Sequence, residues 1–206
     1  MILTVLDTET TGLDSDIHEI IQIATISYVV SGDGDRYVTK KFEEKINPER
    51  LHTASERALQ VNGFTVEEWK GSPNAIDVMP NVKEIIEKSD ILVGQNLIFD
   101  LNFINEVCHR NSMEPPSFPP YIDTKSIADK LVRANWLQRS GMDYLVEHYD
   151  VKVEGRAHTA LVDCERTMLV FDHLQVSYTI QNFFHYLNML KSYLKHKNLY
   201  WQIQVF

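Results

Sequence analysis

The sequence predicts an α/β fold, a mixed sheet flanked by helices. Three observations carry that reading. An apolar run, Ile2-Leu3-Thr4-Val5-Leu6, opens the chain as a buried strand. Strand-like segments cluster before residue 46, and helix-period segments then alternate with short apolar ones. At 206 residues, with 44% hydrophobic and 24% charged residues, the chain suits one domain with a sizeable core.

Each element has a local reason. After a turn at Gly12, Glu19 to Val30 is apolar and rich in β-branched residues, a second strand. Ser31-Gly32-Asp33-Gly34-Asp35 is a turn, and Arg36 to Ile46 alternates as a third strand, which makes a hairpin. Pro48 to Gln60 reads as helical. Ser72 as a cap and Pro73 at the first helical position introduce a helix over Ala75–Lys88. Ile91-Leu92-Val93 is a short buried strand, and Phe99–Arg110 is a helix. The prolines at 115, 116, 119 and 120 stiffen a loop before a last short strand, Tyr121-Ile122-Asp123. A helix is expected from about Thr159 to Leu174. A second, amphipathic one is expected from about Thr179 to Lys195, with Phe183, Tyr186, Leu187, Leu190 and Leu194 at helical spacing.

The net charge is −9, which excludes a general basic coat for nucleic acid but not a nuclease with a carboxylate site. Residues 173–206 carry three lysines and no acid, which leaves −12 on the first 172 residues. The two cysteines, Cys108 and Cys164, form neither a disulfide framework nor a zinc motif and read as buried free thiols. No signal peptide and no membrane-spanning stretch is expected, which points to the cytoplasm.

Candidate chemistry starts at Asp7-Thr8-Glu9. Side chains two apart on a strand share a face, so two carboxylates point the same way with no basic neighbour in sequence. Asp100 follows a strand-to-helix junction, in Asn96-Leu97-Ile98-Phe99-Asp100. Taken alone it reads as an acid favoured by a helix N-terminus. His158 and Asp163 flank the start of the helix near Thr159. They converge only if His158 lies on the preceding loop and folds back, with Gly155 making that loop pliable. Taken together, four carboxylates on separate elements can hold two Mg²⁺ or Mn²⁺ ions, an arrangement suited to in-line phosphoryl displacement. Asp123 reads as structural, Asp143 and Asp150 as a helix cap or turn residues, and Trp69 and Trp136 as packing or loop anchors.

In that order, Asp-x-Glu, Asn-x-x-Phe-Asp and His-x-x-x-x-Asp resemble the motifs of the DEDD 3′–5′ exonucleases, histidine branch. The resemblance covers about residues 2–174. It implies a ribonuclease H-like, five-stranded mixed sheet over residues 1–174, with residues 175–206 as an added helical extension on the same domain. It implies metal ligation by Asp7, Glu9, Asp100 and Asp163, and His158 as general base. Nucleoside 5′-monophosphates would leave the 3′ end of single-stranded nucleic acid or a frayed end, DNA being favoured. Thr10, Val61, Asn62, Asn96 and Phe99 would contact substrate. Two positions depart from many members: Gln95 replaces a histidine before Asn96, and Asn62 stands where many proofreading relatives have histidine. Alternatives are an RNA-processing exoribonuclease, a polymerase-associated proofreading subunit, or a binding module that has lost catalysis. The aromatic, basic tail either completes the core or contacts nucleic acid, a polymerase or a second copy of the chain.

Overall fold

β1 (Ile2–Thr10) is the central strand of the sheet, and every other element is placed relative to it. The computed structural model describes residues 1–32 and 35–196, with side chains through 182. β2 (Ile20–Val30) pairs antiparallel with β1, and β3 (Arg36–Lys45) pairs antiparallel with β2. β4 (Ile91–Gly94) runs parallel to β1, and β5 (Tyr121–Asp123) parallel to β4, so the sheet order is β3-β2-β1-β4-β5. This is the mixed five-stranded α/β fold expected from the sequence.

Both faces of the sheet are covered. Leu3 and Val5 point to one face, where they pack with Ala24, Ile26 and Val93 against α7 (Ala160–His196) through Ala160, Cys164, Met168 and Phe171. Leu6 points to the other, against α3 (Ala75–Glu87) and α4 (Leu97–Arg110) through Val82, Ile86, Phe103 and Ile104. Two covered faces explain why β2 is almost wholly buried, while the edge strand β3 is mostly exposed. α5 (Thr124–Arg133) and α6 (Met142–His148) pack on the flank of α7 around Leu131, Leu145 and Leu174. Cys108 and Cys164 are buried free thiols. Trp69, the last residue of α2 (Val66–Trp69), is the packing anchor expected of it, its indole N–H donating to the Ile21 carbonyl at 2.7 Å.

Three helix boundaries and one helix cap differ from the sequence reading. Pro48–Gln60 is not one helix. A 3₁₀ turn, Leu51–Thr53, is followed by extended Ala54, and α1 (Glu56–Asn62) begins only after Ser55 donates its N–H to the Thr11 carbonyl at 2.7 Å. That tertiary bond pins the chain and resets the helix. α3 starts at Ala75 as expected, but its N-cap is Asn74 rather than Ser72, and Pro73 lies outside the helix with its carbonyl accepting Asn47 N–H at 2.9 Å. α4 starts at Leu97, two residues before the expected start. The expected helices over 159–174 and 179–195 are one, since Gln175-Val176-Ser177-Tyr178 contains no glycine or proline to stop α7. Residues 197–206 of the tail lie outside the described residues. Among the described residues, no helix is long and apolar enough to cross a membrane.

Phe103 is 2% exposed and packs between α4 and the sheet. Phe103→Ala should destabilise the fold by about 3–5 kcal/mol, measured by chemical denaturation. A loss much below that would mean that this core layer collapses around the cavity.

Candidate active site

β1 outruns its parallel neighbour. Pairing with β4 ends at Val5–Val93, so residues 6–10 of β1 extend beyond the carboxyl end of β4. A register shift between Glu9 and Thr10 further loosens the β1–β2 ladder there. The resulting crevice is where ligands bind in open α/β sheets. Asp7 and Glu9 share the face covered by α7. Asp100 comes from the first turn of α4 on the other side and is buried, 3% exposed. Thr8 draws it in: its backbone N–H and its hydroxyl both donate to Asp100 Oδ1, at 2.9 and 2.6 Å.

The fourth acid arrives with α7. Asp163 Oδ2 accepts the backbone N–H of His158 at 3.0 Å, and Oδ1 accepts from Arg166 at 3.3 Å. The His158 loop therefore folds back onto the helix as the sequence requires. It does so through left-handed backbone at Gly155 (φ 115°) and at His158 itself (φ 59°), the latter a strained conformation for a non-glycine residue. Ligand atoms of Glu9, His158 and Asp163 all lie within 4.8 Å of one another. With Asp7 and Asp100 they line one cavity of about 220 Å³, so all five predicted residues come together.

A second, larger cavity of about 690 Å³ adjoins it, sharing Thr8, Glu9 and Phe99. Thr10, Val61 and Asn62 line it, as do exposed Leu13 and Arg57 and half-buried His18, which sequence reasoning did not single out. The Asn62 amide is committed to the scaffold: Nδ2 donates to the Thr10 carbonyl at 3.0 Å, and Oδ1 accepts from Phe64 N–H at 3.3 Å. Arg156 clasps the same corner, donating to the Val61 carbonyl at 3.2 Å and lying over Gly63, where a Cβ would collide with its guanidinium. Asn96 lines neither cavity. It takes a left-handed turn (φ 62°) before α4 and gives its N–H to Asp123 at 2.8 Å, which bears out a structural role for Asp123.

Two lining residues were missed or read otherwise. Gln95 receives the Thr124 hydroxyl at 2.5 Å and donates to the Ser140 carbonyl at 3.0 Å, tying the end of β4 to the loop before α6. That loop carries Met142 and Asp143 to the acidic cavity. Asp143, read from sequence as a cap or turn residue, thus faces the site. Nothing local signals this, because α6 reaches the site only by packing on α7.

A family model described as Exonuclease (RNase_T) matches residues 4–171. The chain belongs to this exonuclease family. It is 30% identical over 170 residues to DNA polymerase III subunit epsilon of Buchnera aphidicola, covering 78% of this chain and 69% of that protein. Ribonuclease T of Shewanella denitrificans is 28% identical, covering 82% of this chain and 78% of that protein. The PolC-type DNA polymerase III of Oceanobacillus iheyensis is 29% identical over 79% of this chain, which spans only 11% of that polymerase. Among solved structures, the nuclease domain of 3′hExo, a DEDDh family member bound to rAMP, superposes with a TM-score of 0.68. The identity is 16%, covering 85% of this chain and 92% of that one. E. coli Exonuclease I in complex with a dT13 oligonucleotide gives 0.71 at 16% identity, covering 90% of this chain and 43% of that one. The two structural likenesses show the fold. The family match and the motif order mark the histidine branch of the DEDD exonucleases.

Electrostatics of the acidic cavity follow from crowding with little countercharge. Burial, then Asp100, Glu9 and Asp163, push the Asp7 carboxyl well above the usual range. Burial, then Asp163 and Asp100, push Glu9 up to about 8, with Arg156 opposing. Burial raises Asp100 to about 7 against the two Thr8 hydrogen bonds. Asp163 is raised by burial and held back by Arg166 and His158. Among the described residues, no cation forms an ion pair with Asp7 or Glu9. Carboxylate oxygens with one imidazole are the donor set of a hard divalent cation, and an uncompensated acid cluster is what such a cation neutralises. The residues fit that group.

These shifts set a pH dependence. Carboxyls raised in the folded state hold protons that the unfolded chain releases, so their contribution is intact below about pH 4. It is lost as pH rises through about 7 and 8, where Asp100 and Glu9 ionise. The melting temperature of the metal-free protein should fall over that window. Mg²⁺ should restore it, increasingly so at higher pH, and Asp7→Asn should flatten the fall. A flat metal-free profile in differential scanning calorimetry would contradict this account.

Proposed function

We propose that the chain is a 3′–5′ exonuclease that hydrolyses the terminal phosphodiester bond of single-stranded nucleic acid or a frayed 3′ end, with DNA the favoured substrate. Nucleoside 5′-monophosphates are the products. The observation that carries this reading is one cavity lined by Asp7, Glu9, Asp100, Asp163 and His158, opening beside a second cavity large enough for a nucleotide. The DNA preference is supported by relatives at 29 and 30% identity that carry the name of DNA polymerase III. The relative named ribonuclease T, at 28%, favours an exoribonuclease as the second reading.

In this reading Asp7, Glu9, Asp100 and Asp163 hold two Mg²⁺ or Mn²⁺ ions. Bound there, such ions would supply charge stabilisation for an in-line phosphoryl displacement. His158 takes the proton of the attacking water. Its position on a loop tied to Asp163 through its own backbone N–H leaves the imidazole, rather than the main chain, for that work. Thr10, Val61 and Phe99 receive the terminal nucleotide, with Phe99 at the boundary of the two cavities. The Asn62 amide holds the pocket wall rather than the substrate. A single-strand preference follows from the need to feed one nucleotide at a time into that pocket. Service to a polymerase is the further reading to test, by co-purification.

Side-by-side digestion of single-stranded DNA, duplex DNA and RNA of matched sequence, with Mg²⁺, tests the substrate reading. Single-stranded DNA should be cleared fastest, and faster clearance of RNA would favour the second reading. Asp7→Ala should abolish mononucleotide release while leaving the circular dichroism spectrum unchanged, since thinning the acid cluster relieves repulsion. Wild-type rates in that variant would end the two-metal reading. His158→Ala should slow turnover by about 10²–10⁴-fold with metal and substrate binding retained. A change of only a few-fold would make His158 an ordinary loop residue.

A further inference from the structure

α7 carries two apolar stripes. One belongs to the core: Ala160, Cys164, Met168, Phe171 and Leu174 are buried, and the stripe ends at Tyr178, whose ring lies 5.5 Å from the Lys130 ammonium. The other starts on the opposed side. Five residues separate Phe171 from Val176, about 140° of helical turn, and their exposures are 2% and 60%. Leu169 and Ile180 are also exposed, at 40% and 41%.

This second stripe has a heptad spacing. Val176, Ile180, Phe183, Leu187, Leu190 and Leu194 follow one another at intervals of 4, 3, 4, 3 and 4, and Leu169 stands one heptad before Val176. Helix α7 continues through His196, so all six lie on one helix. Alternating intervals of three and four put all six residues on one face of the helix, the spacing of a seam able to pack on another helix. From Leu169 to Leu194 the seam spans about 38 Å at 1.5 Å per residue. His173, at the heptad position between Leu169 and Val176, stacks on Tyr149 with 4.9 Å between ring centroids, so α6 borders the start of the seam.

We infer that this seam pairs with the same seam of a second copy, the two helices running antiparallel. Two observations select that occupant. The positions flanking the seam (172, 177, 179, 184, 186, 191 and 193) hold only Asp172 and Lys191 as charges, and Asp172 is already paired with Arg36 at 2.5 Å. No charge pattern there opposes self-pairing or specifies a different helix. The second is charge complementarity. The segment from 173 onward carries +3 and the first 172 residues −12. An antiparallel pair lays the basic end of each helix, with Lys191 and Lys195, toward the acidic domain of the other copy. A parallel pair would set two acidic domains side by side and two basic ends together.

The test is sedimentation equilibrium on the full chain at micromolar concentration and low salt. A mass of two chains is expected. Val176→Glu with Ile180→Glu places charges at exposed positions outside the core and should weaken the dimer at least about tenfold, with the metal-dependent melting transition unchanged. The milder pair Val176→Ser and Ile180→Ser should weaken it in the same direction and serves if the charged pair misfolds. Rising NaCl should weaken the dimer, as should Lys191→Glu, Lys195→Glu and Lys197→Glu together. A monomeric wild-type chain, a dimer indifferent to both seam variants, or a dimer strengthened by salt would each overturn the inference.

Discussion

Four carboxyl groups packed into one partly buried site repel one another, and much of this structure is arranged to hold them there. Neither Asp7 nor Glu9 has an ion-pair partner among the described residues, and the cluster sits in low dielectric where repulsion is strong. The central strand gives them rigidity. β1 is bonded on both edges along its first half and packed on both faces by Leu3, Val5 and Leu6, so its far end cannot splay to relieve the charge. Asp100 is anchored from behind by Thr8, and Asp163 by the His158 N–H and Arg166. The apolar layers around these anchors supply the stability that the acid cluster withdraws.

The two adjoining cavities differ in character. One concentrates charge, and the other is more apolar and roomier, with Leu13, Val61 and Phe99 in its lining. They share Glu9 and Phe99, so whatever fills the larger cavity touches residues that also shape the smaller one. Arg156 makes a second link. It bonds the α1 end at the Val61 carbonyl, lowers the Glu9 carboxyl toward ionisation, and lies two residues before His158. The glycine beneath it, Gly63, combines a left-handed backbone with the space that the guanidinium occupies, so a side chain there would disturb both.

α7 joins the site to the surface. Its first turn delivers Asp163, its middle closes the core against β1 and β2, and the helix continues beyond Tyr178 to His196. A helix this long, with one stripe buried and a second in heptad spacing, has one face fixed by folding and a second that the proposed dimer would use.

Much of the site was readable in the sequence because its residues fall at the ends of strongly patterned elements. Strand alternation alone put Asp7 and Glu9 on one face, and helix geometry alone required the His158 loop to fold back. The tertiary structure decided what long-range bonds control. Ser55 to Thr11 broke an expected helix, and Asn47 to Pro73 kept Pro73 outside another. Thr8 brought Asp100 across the crevice, Asn62 was committed to the scaffold, and Asn96 was left outside both cavities. Gln95 and Asp143 joined the site through contacts that no local pattern announces. Periodicity is written into a chain by the geometry of its own backbone, so the sequence by itself determined the elements and the main acids. Which side chains meet across the sheet depends on partners tens of residues away, and that only the tertiary structure decided.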